Sequence, residues 1–375
     1  MKTKPLIQKK DKHFLELAIR LGNRSKGITW PNPPVGCILV KDGTIVGRGS
    51  TGQKGVPHAE VVALKSAGNQ AIKCDLYCSL EPCSHYGKTP PCVKEIIKRK
   101  ISRVIIPMLD PNPLVMGKGV KLLEKAGIQV VIISELEREA YELIKGFSYL
   151  TKLKRPFITL KIATSLDGMI ATKNGDSKWI SNSFSRERVQ HLRFKNDAIL
   201  VGTNTVVNDK PSLNVRNGLK IYGQPLKIFI DSNLKINPIN LETVPNYVLH
   251  KKNIDIKKKL KWKNYKTSLI PIKYSKGNLN VEEIVQQLAR LEISNLLIEG
   301  GGKIAASFIE SDLIDKVVQY NTGLILGSRG IPSISKIFKE YKNIKNFPRL
   351  DLKSVRNIGN DVETIWERIN SHYKV

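Results

Sequence analysis

The sequence predicts two α/β domains in tandem, and three observations carry that prediction. The chain has 375 residues, well over the length of a typical domain of about 150. Helix-like and strand-like segments alternate in both halves, as layered sheets covered by helices require. Between the halves, Lys154-Arg155-Pro156 combines charge with proline and reads as a linker, giving domains 1–150 and 151–375. A composition of 41% hydrophobic and 25% charged residues lies near the globular average and excludes wholesale disorder or a collagen-like repeat. No apolar run approaches the roughly 18 residues that span a bilayer.

In the first half a helix is predicted from Asp11, with Phe14, Ala18 and Leu21 on one face. Val35 to Gly49 reads as a hairpin turned at Asp42-Gly43, a dipeptide suited to positive backbone angles. Helices and strands then alternate: His58 to Ala67, Leu76 to Leu80, Pro91 to Lys100, Val104 to Pro107, Gly119 to Ala126, Val130 to Ile133, and a helix from Glu135 to Leu150. The second half restarts with a strand at Phe157 to Ala163 and a helix near Phe184 to Phe194. Strands follow at Ala198 to Gly202, Lys227 to Ile230 and Val244 to Leu249, then a helix Val281 to Leu291, a strand Leu296 to Glu299, the run Gly300-Gly301-Gly302 and a helix to Glu310. No internal repeat relates the halves, so different tasks are expected of them.

The formal net charge of +29 invites a nucleic-acid reading, but its distribution argues against a dedicated groove. The first 150 residues carry 24 Lys and Arg against 13 acids, and the other 225 carry 38 against 20. The densest run, Lys251 to Lys266, holds eight lysines and one acid and reads as a solvated surface loop. Five cysteines are too sparse for a disulfide framework and odd in number, so reduced thiols or metal ligands are expected. Met1 to Phe14 has neither an apolar stretch nor a small-residue cleavage site; no secretory signal is read, and a cytoplasmic protein is expected.

His58-Ala59-Glu60 stands at a predicted helix start, Cys83 follows a strand, and Cys92 opens the next helix. One imidazole and two thiolates suit tetrahedral zinc and leave a fourth position for water. Thiols at helix N-termini lose their protons more readily, because free N–H groups and the helix dipole favour the anion. Glu60, two residues past His58, can face that water without ligating the metal. Among the other thiols, Cys78 shares a strand face with Leu76 and Leu80 and reads as core, Cys37 reads as a buried thiol, and Cys74 is left unassigned. Leu296 to Ile309 reads as strand, glycine turn and helix, a shape that can hold a phosphate on helix N–H groups. It lacks the dinucleotide fingerprint and is weak alone.

The spacing of eight residues between Cys83 and Cys92, where nucleoside deaminases usually have two, points to a different pocket. With Pro31-Asn32-Pro33, Val35-Gly36-Cys37, PHAE at 57–60, LEPCSHYGKTPPC at 80–92 and Asp110-Pro111-Asn112-Pro113, the first half resembles the bifunctional deaminase-reductases of riboflavin biosynthesis. In the second half, Lys161 to Gly168, Gly175 to Ile180, Val201 to Thr205 and Asp209 to Arg216 resemble the reductase part of the same family. The resemblance implies a cytidine-deaminase-like α/β/α layered domain followed by an α/β domain similar in fold to dihydrofolate reductase. It implies zinc held by His58, Cys83 and Cys92, with Glu60 as proton shuttle and Asn32, His85, Lys88, Asp110 and Asn112 around the pyrimidine. It also implies NADPH at Ala163, Trp179, Thr205, Ser232, Gly301, Gly302, Lys303, Ile304, Ala305, Ala306 and Ser307, and substrate at Ser177, Arg193, Asp209, Leu213, Arg216 and Glu299.

The implied activity is zinc-dependent deamination of a diaminopyrimidinone carrying a phosphoribosylamino group, then reduction of its ribose to a ribityl chain. Arg193 and Arg216 can hold a phosphate by paired N–H donors. Lys161 and Asp209 are the polar groups expected near the reduced sugar carbon. Trp30 stands where many relatives carry histidine, and Lys210 where an acid or Asn is usual. Expected partners are phosphorylated pyrimidine substrates and further copies of the chain as a homo-oligomer, with neither nucleic acid nor membrane. An RNA-editing deaminase and a catalytically inert nucleotide-binding module are the competing readings; spread charge opposes the first and the intact Glu60 with its three ligands the second.

Overall fold

The computed structural model describes residues 9–87, 89–209, 211–216, 218–219, 223–241, 246–275, 277–335 and 342–368. Lys88 and Lys210 lie outside the described residues. The chain divides into two compact units, Met1–Arg155 and Pro156–Val375.

In the first unit, α1 (Lys9–Arg24) is followed by β1 (Gly36–Lys41), β2 (Thr44–Ser50), α2 (Ala59–Ala67), β3 (Asp75–Cys78), α3 (Cys92–Lys98), β4 (Arg103–Ile106), α4 (Lys118–Lys125), β5 (Gln129–Ile132) and α5 (Glu137–Leu153). Asp42 and Gly43 take positive φ values of 49° and 79°, so the two-residue turn between β1 and β2 matches the right-handed twist of its strands. The strand order is β2-β1-β3-β4-β5, with β1 antiparallel to β2 and β3 and β3, β4 and β5 parallel.

The register shows that helices cover both faces. Cys37 pairs with Gly49 and Leu39 with Gly47, so these four residues share a face. A Cβ on Gly49 would lie 2.2 Å from the Ala59 carbonyl of α2, and one on Gly47 2.5 Å from that of Ala63. Gly36 points the other way, where a Cβ would come within 2.0 Å of the Ala18 carbonyl of α1. On α1's face the Tyr77 hydroxyl donates to Asp11 (2.7 Å), and Arg103 bridges Asp11 (3.0 Å) and Asp75 (2.5 Å). Asp11 is fully buried, so this bridged arrangement supplies the pairing that a buried carboxylate requires.

The second unit runs β6 (Phe157–Thr164), β7 (Met169–Ala171), α6 (Ser183–Phe194), β8 (Ala198–Gly202), β9 (Leu226–Ile230), β10 (Asn246–Lys251), α7 (Ile256–Leu260), β11 (Thr267–Ile272), β12 (Tyr274–Ser275), β13 (Asn278–Leu279), α8 (Val281–Arg290), β14 (Asn295–Ile298), α9 (Gly302–Glu310), β15 (Lys316–Thr322), β16 (Ile331–Pro332), β17 (Asp351–Ile358) and β18 (Asp361–Glu367). Its main sheet is ordered β11-β10-β9-β8-β14-β6-β15-β18-β17. Strands from β11 to β15 are parallel; β18 and β17 add an antiparallel edge. Ile158, Leu160 and Ile162 of β6 pack with Ile284 and Leu288 of α8 and Ala305 and Phe308 of α9. On the opposite face Ile199, Val201, Phe229, Val248 and Leu297 form a separate core, and α6 brings Val189 against Val318 and Tyr320.

Two features depart from the sequence reading. The Lys251–Lys266 run is more than a loop: Asp255 caps α7 by accepting the Lys257 N–H (2.8 Å), and Trp262, 3% exposed, anchors the run in the second core. Of the main sheet, strands β11, β15, β17 and β18 were not anticipated, nor were the short strands β7, β12, β13 and β16. β17 is exposed along nearly its whole length, so it shows no apolar alternation to read. Gly36→Ala should lower the stability of the first unit by the upper end of the about 1–3 kcal/mol that overpacking costs. A urea midpoint unchanged by the substitution would show that α1 can retreat from β1.

Candidate active sites

The α2 N-cap is His58, and Cys92 is the first residue of α3, with Pro91 as its N-cap. Cys83 lies on the segment between β3 and α3. His58 Nδ1 stands 3.5 Å from Cys83 Sγ and 3.3 Å from Cys92 Sγ, and the three ligating atoms lie within 4.8 Å of one another. Cys83 Sγ also accepts the Cys92 backbone N–H at 3.3 Å. The Cys83 thiol is pulled down to about 4, chiefly because the Cys92 thiol donates to it, with His58 adding. His58 is raised above the usual imidazole range, first by its hydrogen bond to Cys83. A thiol lowered by its neighbours and an imidazole close to both sulfurs suit a three-ligand zinc site with an open fourth position.

Glu60, 5% exposed, is the second residue of α2. Burial raises its carboxyl above the usual range, the Cys83 charge raises it further, and His58 opposes both. Cys37 and Cys78 face each other across β1 and β3, fully buried, and burial pushes both thiols up. They belong to the core. Cys74, left open by the sequence, is buried and donates to the Gln70 carbonyl at 2.9 Å.

Of the expected pyrimidine contacts, Asn32 donates to the Gly55 carbonyl at 2.9 Å. Gly55 has φ of +82°, and a Cβ there would lie 2.6 Å from the Asn32 side chain, so the turn preceding His58 and the Asn32 loop require each other. Asp110 is buried and accepts the Asn112 N–H at 2.7 Å. Its carboxyl is pushed up to about 7, first by burial, with the charges of Glu81, Cys83 and Glu60 adding. His85 is exposed.

Of the expected reductase residues, Ser232 follows β9, Thr205 and Asp209 follow β8, Glu299 and Gly301 follow β14 and Ala163 lies near the end of β6, on the carboxyl side where open α/β sheets bind ligands. Lys161 of β6 is paired in register with Val318. Burial lowers its ammonium below the usual lysine range, and the Glu299 carboxylate partly restores it. Glu299, just past β14, is clasped by Arg193 of α6 through Nε to Oε1 at 2.6 Å and Nη2 to Oε2 at 2.9 Å. Arg193 Nη1 donates to the Asn214 carbonyl at 3.3 Å. These bonds use three of the five guanidinium N–H donors of Arg193; the other arginine expected at a phosphate is Arg216. That residue is exposed and bonded through Nη2 to Ser212 Oγ at 2.9 Å.

Thr205 and Asp209 bound a wide turn after β8. Burial raises the Asp209 carboxyl and Lys178 opposes it. Lys178 Nζ reaches the Asp209 carbonyl at 3.4 Å, linking the wide turn to the segment that carries Ser177 and Trp179. The Trp179 ring is 70% exposed, with the Arg186 guanidinium 4.6 Å from its centroid. Leu213, 2% exposed, points into the second core, so only its backbone faces outward. Ser232 follows β9 and accepts the Lys251 N–H at 3.2 Å; Lys258 Nζ donates to the neighbouring Asn233 carbonyl at 3.3 Å.

At the α9 start, Gly302 has no room for a Cβ, which would meet the Pro332 carbonyl at 2.6 Å, whereas a Cβ on Gly301 would meet nothing within 4 Å. Helix geometry leaves the first N–H groups of α9 without intrahelical partners, and they border that open side. Helix starts of this kind can hold a phosphate group. Ile304 packs against Gly202 and Gly300, while Ala305 and Ala306 are buried in or beside the core. Sequence reasoning missed Asp167, which accepts from Ser165 Oγ (2.6 Å), Leu326 N (3.1 Å) and Gly327 N (2.6 Å). It also missed Asp231, which is 1% exposed and holds Thr203 Oγ1 at 3.2 Å. The Asp-Gly pair at 167–168 was the available signal for the first; nothing local marks the second.

Residues 156–364 match the family model of the RibD C-terminal domain, and residues 8–108 match that of the cytidine and deoxycytidylate deaminase zinc-binding region. The chain is similar to the riboflavin biosynthesis protein RibD of Aquifex aeolicus, at 40% identity over 97% of this chain and 100% of that one. It is also similar to its counterpart in Escherichia coli, at 35% identity over 94% and 98%. Among solved structures, RibD of Acinetobacter baumannii superposes with a TM-score of 0.84 at 32% identity, over 96% of this chain and 99% of that chain. A Thermotoga maritima diaminohydroxyphosphoribosylaminopyrimidine deaminase/5-amino-6-(5-phosphoribosylamino)uracil reductase gives 0.81 at 31%, over 95% and 98%. The likeness runs along nearly the whole chain and covers both units, and the chain belongs to the bifunctional deaminase-reductase family of riboflavin biosynthesis.

Proposed function

We propose that the unit ending at Arg155 hydrolytically deaminates 2,5-diamino-6-(5-phosphoribosylamino)pyrimidin-4-one to 5-amino-6-(5-phosphoribosylamino)uracil. The unit from Pro156 onward then reduces the ribosyl group with NADPH, giving 5-amino-6-(5-phosphoribitylamino)uracil. The observation that carries the reading is the convergence of His58, Cys83 and Cys92 within 4.8 Å, with buried Glu60 beside them and the 31%-identical Thermotoga protein named for both steps.

When bound, zinc contributes Lewis acidity that makes a water nucleophilic near neutral pH, and NADPH contributes the reducing electrons. His58 Nδ1, Cys83 Sγ and Cys92 Sγ hold the metal. A Glu60 carboxylate oxygen accepts a proton from the attacking water and passes it to a pyrimidine ring nitrogen; it then takes the hydroxyl proton of the resulting adduct and delivers it to the amine, which leaves as ammonia as the carbonyl forms, and its burial-raised carboxyl suits both giving and taking a proton. Asn32, Asp110 and Asn112 orient the ring, and His85 and Lys88, the latter outside the described residues, are further substrate contacts implied by the resemblance. In the reductase, the Lys161 ammonium donates to the sugar oxygen as the carbon is reduced, Glu299 keeps that ammonium charged, and Arg193 fixes Glu299. Asp209 and Ser177 position the sugar, and Arg216 holds its phosphate. Ala163, Trp179, Thr205, Ser232 and the Gly301–Ser307 segment hold NADPH.

No helix among the described residues is long and apolar enough to cross a membrane. Five unpaired thiols support a reducing, cytoplasmic setting. Basic charge spread over both halves supports small-molecule substrates without a nucleic-acid partner. The exposed edge strand β17, with Leu352 and Val355 in water, supports a homo-oligomer.

Purified protein should carry one zinc ion per chain. Glu60→Gln should keep that zinc while deamination falls by about 10²–10⁴-fold; loss of the metal from this variant would make Glu60 a ligand. Lys161→Ala should lower NADPH-dependent reduction by about a hundredfold or more and leave deamination intact. His58→Ala should do the reverse when the deaminated intermediate is supplied. A substitution abolishing both activities in folded protein would contradict separate sites.

The pH dependence of reduction follows from Lys161. The group must be protonated to donate, so activity falls as pH rises through its lowered pKa. Glu299 raises that pKa and Arg193 lowers it. Glu299→Gln therefore should move the alkaline limb of kcat further down in pH. A limb that stays fixed would show that another group titrates there.

A further inference from the structure

We propose that Glu81 is a positioning residue of the deaminase site, fixing the segment that carries Cys83 against the segment that carries Asp110 and Asn112. The inference rests on the deaminase reading above and adds a residue to it. Glu81 is 3% exposed, yet it lies two residues before Cys83, on a segment outside the helices and strands, where a carboxylate gains nothing from burial unless its oxygens are fully used. Both oxygens are used. Oε2 accepts the Asp110 N–H at 3.1 Å and the Gly117 N–H at 2.9 Å. Oε1 accepts the Val120 N–H at 3.2 Å. Gly117 is the N-cap of α4, so two of these donors are first-turn amides whose partial positive charge favours the carboxylate.

The next residue completes the joint. A Cβ on Gly119 would lie 2.2 Å from the Pro82 carbonyl and 3.1 Å from Glu81 Oε1, so the Glu81-Pro82 backbone is seated directly on the first turn of α4. Residue 83 is a metal-holding position, and Asp110, whose amide Glu81 takes, is a pocket position. One side chain thus sets the distance between the metal side and the ring-binding side of the pocket. Glu81 itself touches neither substrate nor metal.

The test uses the full zinc-loaded chain. Glu81→Gln keeps one acceptor oxygen but sets an amide against one of the three N–H groups; Glu81→Ala removes all three bonds. The readouts are zinc content, kcat and KM of deamination, and reduction of the separately supplied deaminated intermediate, which reports on the folding of the rest of the chain. The expected result is a graded rise in deamination KM, several-fold for Gln and tenfold or more for Ala, since small misplacements of positioning groups are costly. Zinc content and reduction should stay unchanged. Should the Ala variant not fold, the Gln variant alone decides. An unchanged KM, or activity lost in proportion to zinc, would overturn the positioning role. Absence of deamination in the zinc-loaded parent chain would instead refute the deaminase reading.

Discussion

The deaminase centre depends on how closely α2 can lie on β2. Gly47 and Gly49 remove the side chains that would hold the helix away, and the Ala59 and Ala63 carbonyls of α2 press against them. That contact sets where α2 begins, and therefore where His58 presents its ring and where Glu60 is buried. The thiols follow from the same layer. The face bearing Gly49 also bears Cys37 and, across β3, Cys78, so the floor beneath α2 is apolar, and the Cys83 segment and α3 bring the ligating sulfurs to His58. An apolar floor raises the energy of a charge, which lifts the Glu60 carboxyl, while Cys83, with donors on more than one side, is lowered.

In the reductase unit a comparable problem is solved by pairing. Lys161, Glu299 and Arg193 form a chain of two cations around one buried carboxylate. Removing a member leaves an uncompensated charge, the costly case for buried ion pairs. Arg193 is already clasped to the carboxylate, so the arrangement holds its shape before any substrate arrives. This preorganisation is what an electrostatic site needs if it is to stabilise charge during reaction without rearranging.

The sequence reveals most where its signals are local. His58, Glu60, Cys83 and Cys92 stand at or near element starts, and the turn at Asp42-Gly43 announces its own geometry. The strands with buried alternation in β6 and the apolar runs of β8, β9 and β14 were legible for the same reason. What escaped depends on long separations or on context. The Arg193–Glu299 clasp joins residues 106 apart, and an arginine alone reads equally as a phosphate holder. β17 has no buried face to betray it. The lysine run reads as solvated because its charges are, and Trp262, its anchor, is a single apolar residue with no period to reveal it.

The order of strands in the second unit also governs when that unit can form. Its first strand, β6, is flanked by β14 and β15, both made more than a hundred residues later. Around the cofactor turn, the Ser335 N–H donates to the Gly302 carbonyl and the Ser333 N–H to that of Gly168. A chain emerging from the ribosome therefore completes the first unit's sheet and helices well before β6 meets either neighbour, and domains generally fold as units during synthesis. The nascent reductase must hold a largely buried strand, Phe157–Thr164, without partners over a long stretch of elongation. Lys161 within that strand is a charge in its middle, and charges there oppose pairing with other unfinished chains. The residue that would donate to substrate in the finished enzyme thus also guards the strand while the enzyme is being made.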